Sequence, residues 1–232
     1  MATVTKNGKK YKEKATLVKE SALYELDVAL AKVKELGYAK FDETIEIVFN
    51  LGIDPKKGEQ MVRGTVNMPA GLGKKIKIAI VTSGDNLKNA EAAGADIFGA
   101  DDLIEQINGG FIDFDVLLAT SDMMPKIGKL GKVLGRRGLM PTPKAGTVVT
   151  DVKKSIAEFK AGKADFKSEK NGIIHSIVGK KSFTVEQLKQ NFMAFYDAIV
   201  KAKPATVKGV YIKSIYLAPT MGPSVKIDTS KI

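Results

Sequence analysis

Strands and helices alternate in the middle of this chain, and segments with a different pattern flank that alternation on both sides. Residues 76–82 and 116–120 are apolar on both faces, and a helical segment follows each of them. Strands of this kind are typical of a parallel sheet that is covered by helices on two sides. The middle of the chain therefore predicts a Rossmann-like parallel α/β domain.

The two outer segments combine long helices with the period-two alternation of antiparallel strands. The predicted strands are residues 44–51, 61–68, 164–168, 173–178 and 207–217, and the predicted helices are residues 17–36 and 185–201. Asn171-Gly172, between two of these strands, is the signature of a tight hairpin turn. Each outer segment has about 70 residues, which alone would form only a marginal core. We therefore predict one discontinuous domain of split β-α-β type from residues 1–68 and 160–232, with residues 69–159 inserted as the Rossmann-like domain.

Positive charge is concentrated in the outer segments. The chain carries 37 Lys plus Arg against 26 Asp plus Glu, a formal net charge of +11. Residues 69–159 hold 12 of these basic and 11 of these acidic residues, which leaves 25 and 15, a net of +10, for the rest. Such a surplus is typical of a protein that binds a polyanion, and it predicts a contact surface on the discontinuous domain. Residues 1–14, with five Lys and one Glu, are predicted to be a mobile basic tail.

Composition disfavours several classes of function. The chain has no Cys and a single His, His175, so we expect no disulfide, no thiol nucleophile and no metal or other cofactor. The first residues lack the apolar core of a signal peptide, and no apolar run is long enough to span a membrane. We therefore expect a cytoplasmic protein that does not contact a membrane.

Signals for nucleotide binding are incomplete. No predicted strand is followed by the spaced glycines that let a pyrophosphate approach a helix. Gly179-Lys180-Lys181-Ser182 resembles the end of a phosphate loop, but Ile174 stands where the first glycine should be. The Asp101-Asp102 and Asp113-Asp115 pairs lie where a helix begins or a strand is entered, and N-capping and turn chemistry explain them. An enzymatic or nucleotide-binding role of the inserted domain is thus a weak alternative, and general DNA binding, based on charge alone, is another.

Residues 128–147 combine a glycine every three to four residues with cations and contain no acid. The cations are Lys129, Lys132, Arg136, Arg137 and Lys144. Exposed backbone amides and a compact positive surface suit phosphate groups, which makes this segment a candidate secondary RNA-facing surface. A glycine-rich helix that packs closely on the sheet, with solvated cations, explains the same pattern.

Six motifs occur in order along nearly the whole chain. They are residues 41–46 (Phe-Asp-Glu-Thr-Ile-Glu), 63–66 (Arg-Gly-Thr-Val), 94–96 (Gly-Ala-Asp), the segment 135–146, 172–175 (Gly-Ile-Ile-His) and 220–224 (Thr-Met-Gly-Pro-Ser). With these motifs in combination, the chain resembles the bacterial ribosomal protein L-one family. The resemblance implies two domains, one of them an inserted Rossmann-like domain, and a function without catalysis.

The resemblance also implies partners. It implies a structural protein of the large (50S) ribosomal subunit that binds 23S rRNA, forms the mobile stalk beside the E site and assists release of deacylated tRNA. It further implies a translational repressor that binds the messenger of its own operon, because this messenger imitates the ribosomal site. The free protein is expected to be a monomer.

The RNA contacts of the family, carried over to the matching motif positions, predict ten RNA-binding residues. They are Phe41, Thr44, Glu46, Lys170, Gly172, His175, Ser214, Thr220, Met221 and Gly222. Glu169 stands where some relatives have Asp, which weakens the comparison at that turn. Without the resemblance, His175 would be interpreted as a half-buried polar residue of a strand, and residues 220–224 as a turn.

Overall fold

The computed structural model describes residues 8–19, 22–54 and 60–232, apart from the side chains of Asp85 and Lys144. The helices are α1 (Lys9–Ala15), α2 (Leu26–Leu36), α3 (Asp85–Ala92), α4 (Asp101–Asn108), α5 (Met124–Gly128), α6 (Gly131–Arg137), α7 (Val152–Ala161) and α8 (Val185–Lys201). The strands are β1 (Thr44–Leu51), β2 (Arg63–Asn67), β3 (Ile78–Val81), β4 (Ile97–Gly99), β5 (Val116–Thr120), β6 (Val148–Val149), β7 (Lys163–Lys167), β8 (Ile173–Lys180), β9 (Ile212–Pro219) and β10 (Val225–Ile227). Short 3-10 helices lie at Ser121–Met123, Pro143–Ala145 and Thr229–Lys231.

The described residues divide into two compact units. Unit 1 extends to Gly73 and resumes at Phe166–Ile232, and unit 2 is Lys74–Asp165. Unit 2 thus begins five residues later than the predicted 69–159 and ends six residues later. The later end includes the last residues of α7 and also Lys163, whose Nζ pairs with the Glu158 carboxylate of α7 at 2.8 Å.

Unit 1 contains a four-stranded antiparallel sheet with the strand order β10-β9-β1-β8. Alternate residues of β1 point to opposite faces, and Ile45, Ile47 and Phe49 are fully buried on one of them. Helices α2 and α8 pack against this inner face, where the rings of Phe49 and Phe195 lie 5.6 Å apart. The opposite face, which we call the outer face, carries exposed or partly exposed side chains with the exception of Ser214. A separate two-stranded sheet contains β2 and β7.

Unit 2 contains a four-stranded parallel sheet with the order β4-β3-β5-β6. All four residues of β3 are buried: Ile78 and Ile80 belong to one apolar cluster, while Ala79 and Val81 belong to another. A strand that is apolar on both faces therefore lies between two packed layers, as its sequence predicts. The mixed fold, with one parallel and one antiparallel sheet, confirms the predicted fold class.

Two predictions for the N-terminal segment were wrong. Residues 9–14 of the predicted tail lie in α1, and the Nζ of Lys14 donates a hydrogen bond to the carbonyl oxygen of Glu35 at 3.0 Å. Residues 1–7 lie outside the described residues. The helix predicted from residue 17 begins at Leu26, because Tyr24 is extended beside β10. The Tyr24 N–H donates to Lys226 O at 3.1 Å, and the Asp228 N–H donates to Tyr24 O at 2.9 Å.

The predicted hairpin was also wrong, although its turn is present. The Gly172 N–H donates to Glu169 O at 3.0 Å, and Gly172 has a φ of 75°. However, β7 pairs with β2, whereas β8 pairs with β1 along nearly its whole length. The turn therefore passes the chain from one sheet to another. The short strands β6 and β10 and the helix α7 had no sequence prediction.

Candidate nucleic-acid interface

Cross-strand pairing arranges the side chains of the outer face in rows, because directly paired residues of antiparallel strands point to the same face. The central row contains His175, Val48, Tyr216 and Lys226. One flanking row contains Ile177, Glu46 and Ala218, and the other contains Ile173, Asn50 and Ser214. The face thus gathers residues from four strands, of which β1, β8 and β9 are far apart in the sequence.

At one end of the outer face, Thr44 binds the segment that follows β9. The Thr44 N–H donates to Thr220 Oγ1 at 3.0 Å, and the Thr220 N–H donates to Thr44 O at 3.0 Å. The Nζ of Lys180 donates to Thr44 Oγ1 at 2.7 Å. Phe41 is 55% exposed and Met221 is 49% exposed, so this end carries two apolar side chains in contact with solvent.

At the other end, Gly172 allows the turn before β8 to approach β1 closely. A Cβ atom on Gly172 would lie 3.2 Å from Leu51 O, and the Leu51 N–H donates to Gly172 O at 3.0 Å. Lys170 is exposed in the same turn, and Ser214 is buried opposite Asn50. Since Asn50 lies six positions after Thr44 along β1, the two ends are about 20 Å apart.

All ten predicted residues lie in unit 1, and most of them are accessible. His175 is exposed, so the interpretation of this residue as half-buried was wrong. Gly222 has a packing role of its own, because a Cβ atom there would lie 2.6 Å from Pro219 Cγ and 3.0 Å from Leu36 O. Sequence patterns missed Val48, Tyr216 and Lys226, which only the strand pairing places beside the predicted residues, and they also missed a buried acid, Glu43.

In unit 2, the glycine-rich segment begins at the last residue of α5 and forms α6 and the 3-10 helix Pro143–Ala145. Lys129, Lys132, Arg136 and Arg137 are exposed, whereas Leu130 and Leu134 pack in an apolar core. The side chain of Lys144 lies outside the described part of the structure. A Cβ atom on any of the glycines at positions 128, 131 and 135 would meet nothing within 4 Å. The segment therefore packs against the sheet through its leucines, and these three glycines take no part in that packing.

The carboxylate pairs of unit 2 are engaged in exposed ion pairs. Asp101 pairs with Lys126 at 2.6 Å, and Asp115 pairs with Lys74 at 2.6 Å. The hydrogen bond from Lys74 lowers the pKa of Asp115 from its ordinary value. Ala100 precedes α4 without a side-chain cap, so the predicted N-capping by the Asp101-Asp102 pair was wrong; both acids lie in the first turn, where the helix dipole favours them.

The residues that resemble a phosphate loop bind other groups of unit 1. Lys180 donates to the Thr44 hydroxyl, and the Nζ of Lys181 donates to Gly37 O at 2.7 Å. Among the described residues, no group of three or more His, Cys, Asp or Glu side chains could hold a metal ion. No described helix is both long and apolar enough to cross a membrane.

An open antiparallel sheet face on a basic unit is typical of proteins that bind nucleic acid. By the bounds of the structure, residues 74–165 hold 14 Lys plus Arg and 12 Asp plus Glu, so the rest of the chain holds 23 and 14, a net of +9. The family model of the ribosomal protein L1p/L10e family matches residues 30–223, and the chain belongs to this family. The family consists of structural ribosomal proteins and not of enzymes, so the chain has a structural role in the large subunit and binds rRNA.

Proposed function

We propose that the outer face of unit 1 is the surface that binds 23S rRNA. One observation carries this proposal: strand pairing collects Thr44, Glu46, His175 and Ser214, from three strands, on a single face of the sheet. Family resemblance alone predicted these four residues, without knowledge of the pairing. Their convergence on one face supports a common ligand.

The chemistry of the face suits a folded RNA that is recognised by shape. Lys170, Lys180 and Lys226 supply positive charge for phosphates, while hydroxyl groups and the Glu46 carboxylate can bond to ribose 2′-hydroxyls. The exposed Phe41 and Met221 can pack on a ribose or a base at the end of the face.

The same face binds the messenger of the protein's own operon, and the protein thereby represses its translation. One surface serves both RNAs, so the messenger and the rRNA compete for it. In the ribosome of the cytoplasm, the rRNA-bound protein belongs to the mobile stalk beside the E site and assists release of deacylated tRNA. Lys129, Lys132, Arg136 and Arg137 of unit 2 provide a secondary RNA-facing surface, which their exposure supports. The free protein is a monomer.

A binding titration at several salt concentrations tests the main proposal. The full chain should bind 23S rRNA with an affinity that falls steeply with salt, by a logarithmic slope of about 0.7 to 0.9 for each neutralised phosphate. An affinity that does not change with salt would show that the basic residues lie outside the interface.

Competition separates the proposal from its alternatives. The operon messenger should displace the rRNA, whereas excess duplex DNA should not. Equal displacement by DNA would favour a general DNA-binding protein. A nucleotide that raises the melting temperature of the free chain would instead favour a nucleotide site in unit 2.

A further inference from the structure

A buried carboxylate lies directly beneath the Phe41 and Met221 end of the outer face. Glu43 is 0% exposed. Its Oε1 accepts the N–H of Ala39 at 2.5 Å, and its Oε2 accepts the N–H of Met221 at 3.2 Å. In the part of the chain that the structure describes, this carboxylate forms no ion pair.

These two hydrogen bonds join segments that are far apart in the sequence. Ala39 belongs to the loop that leads from α2 to Phe41, and Met221 follows β9. The backbone of Glu43 is fixed as well, because its carbonyl oxygen accepts the N–H of Lys181 at 2.8 Å. The segments that carry Phe41 and Met221 are therefore both bonded to the Glu43 side chain.

Each of the two backbone N–H groups needs an acceptor, so both side-chain oxygens of residue 43 must accept a hydrogen bond. A glutamine would present an NH₂ group to one of the two N–H donors, so one hydrogen bond would become a contact between donors. An aspartate is one methylene shorter and cannot span both amides from the same backbone position.

We infer that Glu43 is a positioning residue for RNA binding, which holds the loop of Phe41 and the backbone of Met221 in the geometry that the RNA contacts. The inference rests on the proposed function of the outer face and deepens it. Glu43 itself does not touch RNA, because it is buried. It acts through Met221, and its contribution to affinity therefore depends on the Met221 side chain.

A double-mutant cycle measures this dependence. Glu43→Gln, in the full chain, should raise the Kd for 23S rRNA about tenfold, which is the size expected for losing one hydrogen bond to a carboxylate. In a Met221→Ala background, the same change should raise the Kd by less than about twofold. The amide proton resonances of Ala39 and Met221 should shift in Glu43→Gln.

Tyr211→Phe is the matched control for lost stability. It removes another buried hydrogen bond of unit 1, from the Tyr211 hydroxyl to Ile199 O at 3.1 Å, and Tyr211 precedes β9, whereas Met221 follows it. This variant should bind rRNA as the native protein does. If Glu43→Gln does not fold, Glu43→Asp offers a second test, because it keeps the negative charge but can reach only one of the two amides. It should also raise the Kd, with the same dependence on Met221.

Three outcomes would overturn the inference. An equal rise in Kd in the native and Met221→Ala backgrounds would mean that Glu43 does not act through Met221. If Glu43→Gln binds normally while Met221→Ala binds weakly, the positioning role is wrong and the proposed surface stands. If Met221→Ala also binds normally, the proposed surface is wrong at this end, and the inference falls with it.

Discussion

Thr44 and Thr220 are joined by three hydrogen bonds, two of which use the Thr220 hydroxyl. That hydroxyl accepts the Thr44 N–H at 3.0 Å and donates to Thr44 O at 3.1 Å, while the Thr220 N–H donates to the same oxygen at 3.0 Å. The pair extends the contact between β1 and β9 beyond the end of β9. Thr220 therefore fixes the path of the chain where the exposed Met221 begins.

Thr220→Val should weaken rRNA binding and also lower stability. The variant loses both bonds of the hydroxyl, so we expect a fall of about 1 kcal/mol in the free energy of unfolding. The Kd for 23S rRNA should rise about tenfold, because the backbone of residues 220–222 shifts. Urea unfolding and filter binding measure the two effects. Thr220→Ser keeps the hydroxyl and should behave as the native chain, and equal damage by both variants would contradict this explanation.

Met221→Ala should weaken rRNA binding with little change in stability. Since this side chain is 49% exposed, its removal leaves the core intact, and the expected rise in Kd is about tenfold or more. Met193→Ala is the matched control, because Met193 is 36% exposed on α8, which packs against the inner face of the sheet. Equal affinity of the two variants would exclude Met221 from the interface.

Gly135→Ala should stabilise unit 2 and weaken RNA binding. Alanine in the middle of α6 improves helix propensity by about 1 kcal/mol, and the new methyl group meets no atom within 4 Å. If the exposed backbone of α6 approaches a phosphate, the same methyl group raises the Kd. Thermal unfolding and a binding titration separate the two effects. A stabilised variant with native affinity would show that Gly135 lies outside the RNA interface.

Tyr211 should make the native chain sensitive to alkali. Burial raises the pKa of Tyr211 to about 12, whereas an unfolded tyrosine titrates near 10. The stability that the neutral phenol contributes is complete below about pH 10 and is lost as the pH rises towards 12. Over this window, native stability should fall by up to about 2 kcal/mol more than that of Tyr211→Phe. Parallel falls in urea titrations of both proteins would contradict the burial of the phenol.

The sequence predicted those elements whose pattern is local. Strand β5 and helix α8 begin and end where their apolar periodicity does, and β1 is bounded as predicted. The N-terminal helix was predicted too long because the pairing of Tyr24 with Ile227 involves residues about 200 positions apart. The hairpin prediction was wrong for the same reason. A local Asn-Gly signal carries no information about the distant pairing of β8 with β1.

The candidate site was predictable only in part. Family motifs predicted Thr44, His175 and Met221. No periodicity in the sequence shows that Tyr216 and His175 both pair with Val48, one on each side of β1. Glu43 lies in a predicted motif and was still overlooked. Its importance depends on burial and on two backbone partners, which a linear sequence does not display.

Hydroxyl-radical footprinting of the full chain, with and without 23S rRNA, tests the proposed interface most directly. Oxidation rates can be measured by mass spectrometry for Phe41, His175, Tyr216 and Met221, with Met193 as an internal reference in the same sample. The proposed interface predicts that rRNA slows the oxidation of the first four side chains and leaves Met193 unchanged. Protection of Met193, with Phe41 and Met221 as reactive as in the free protein, would place the RNA elsewhere and contradict the proposal.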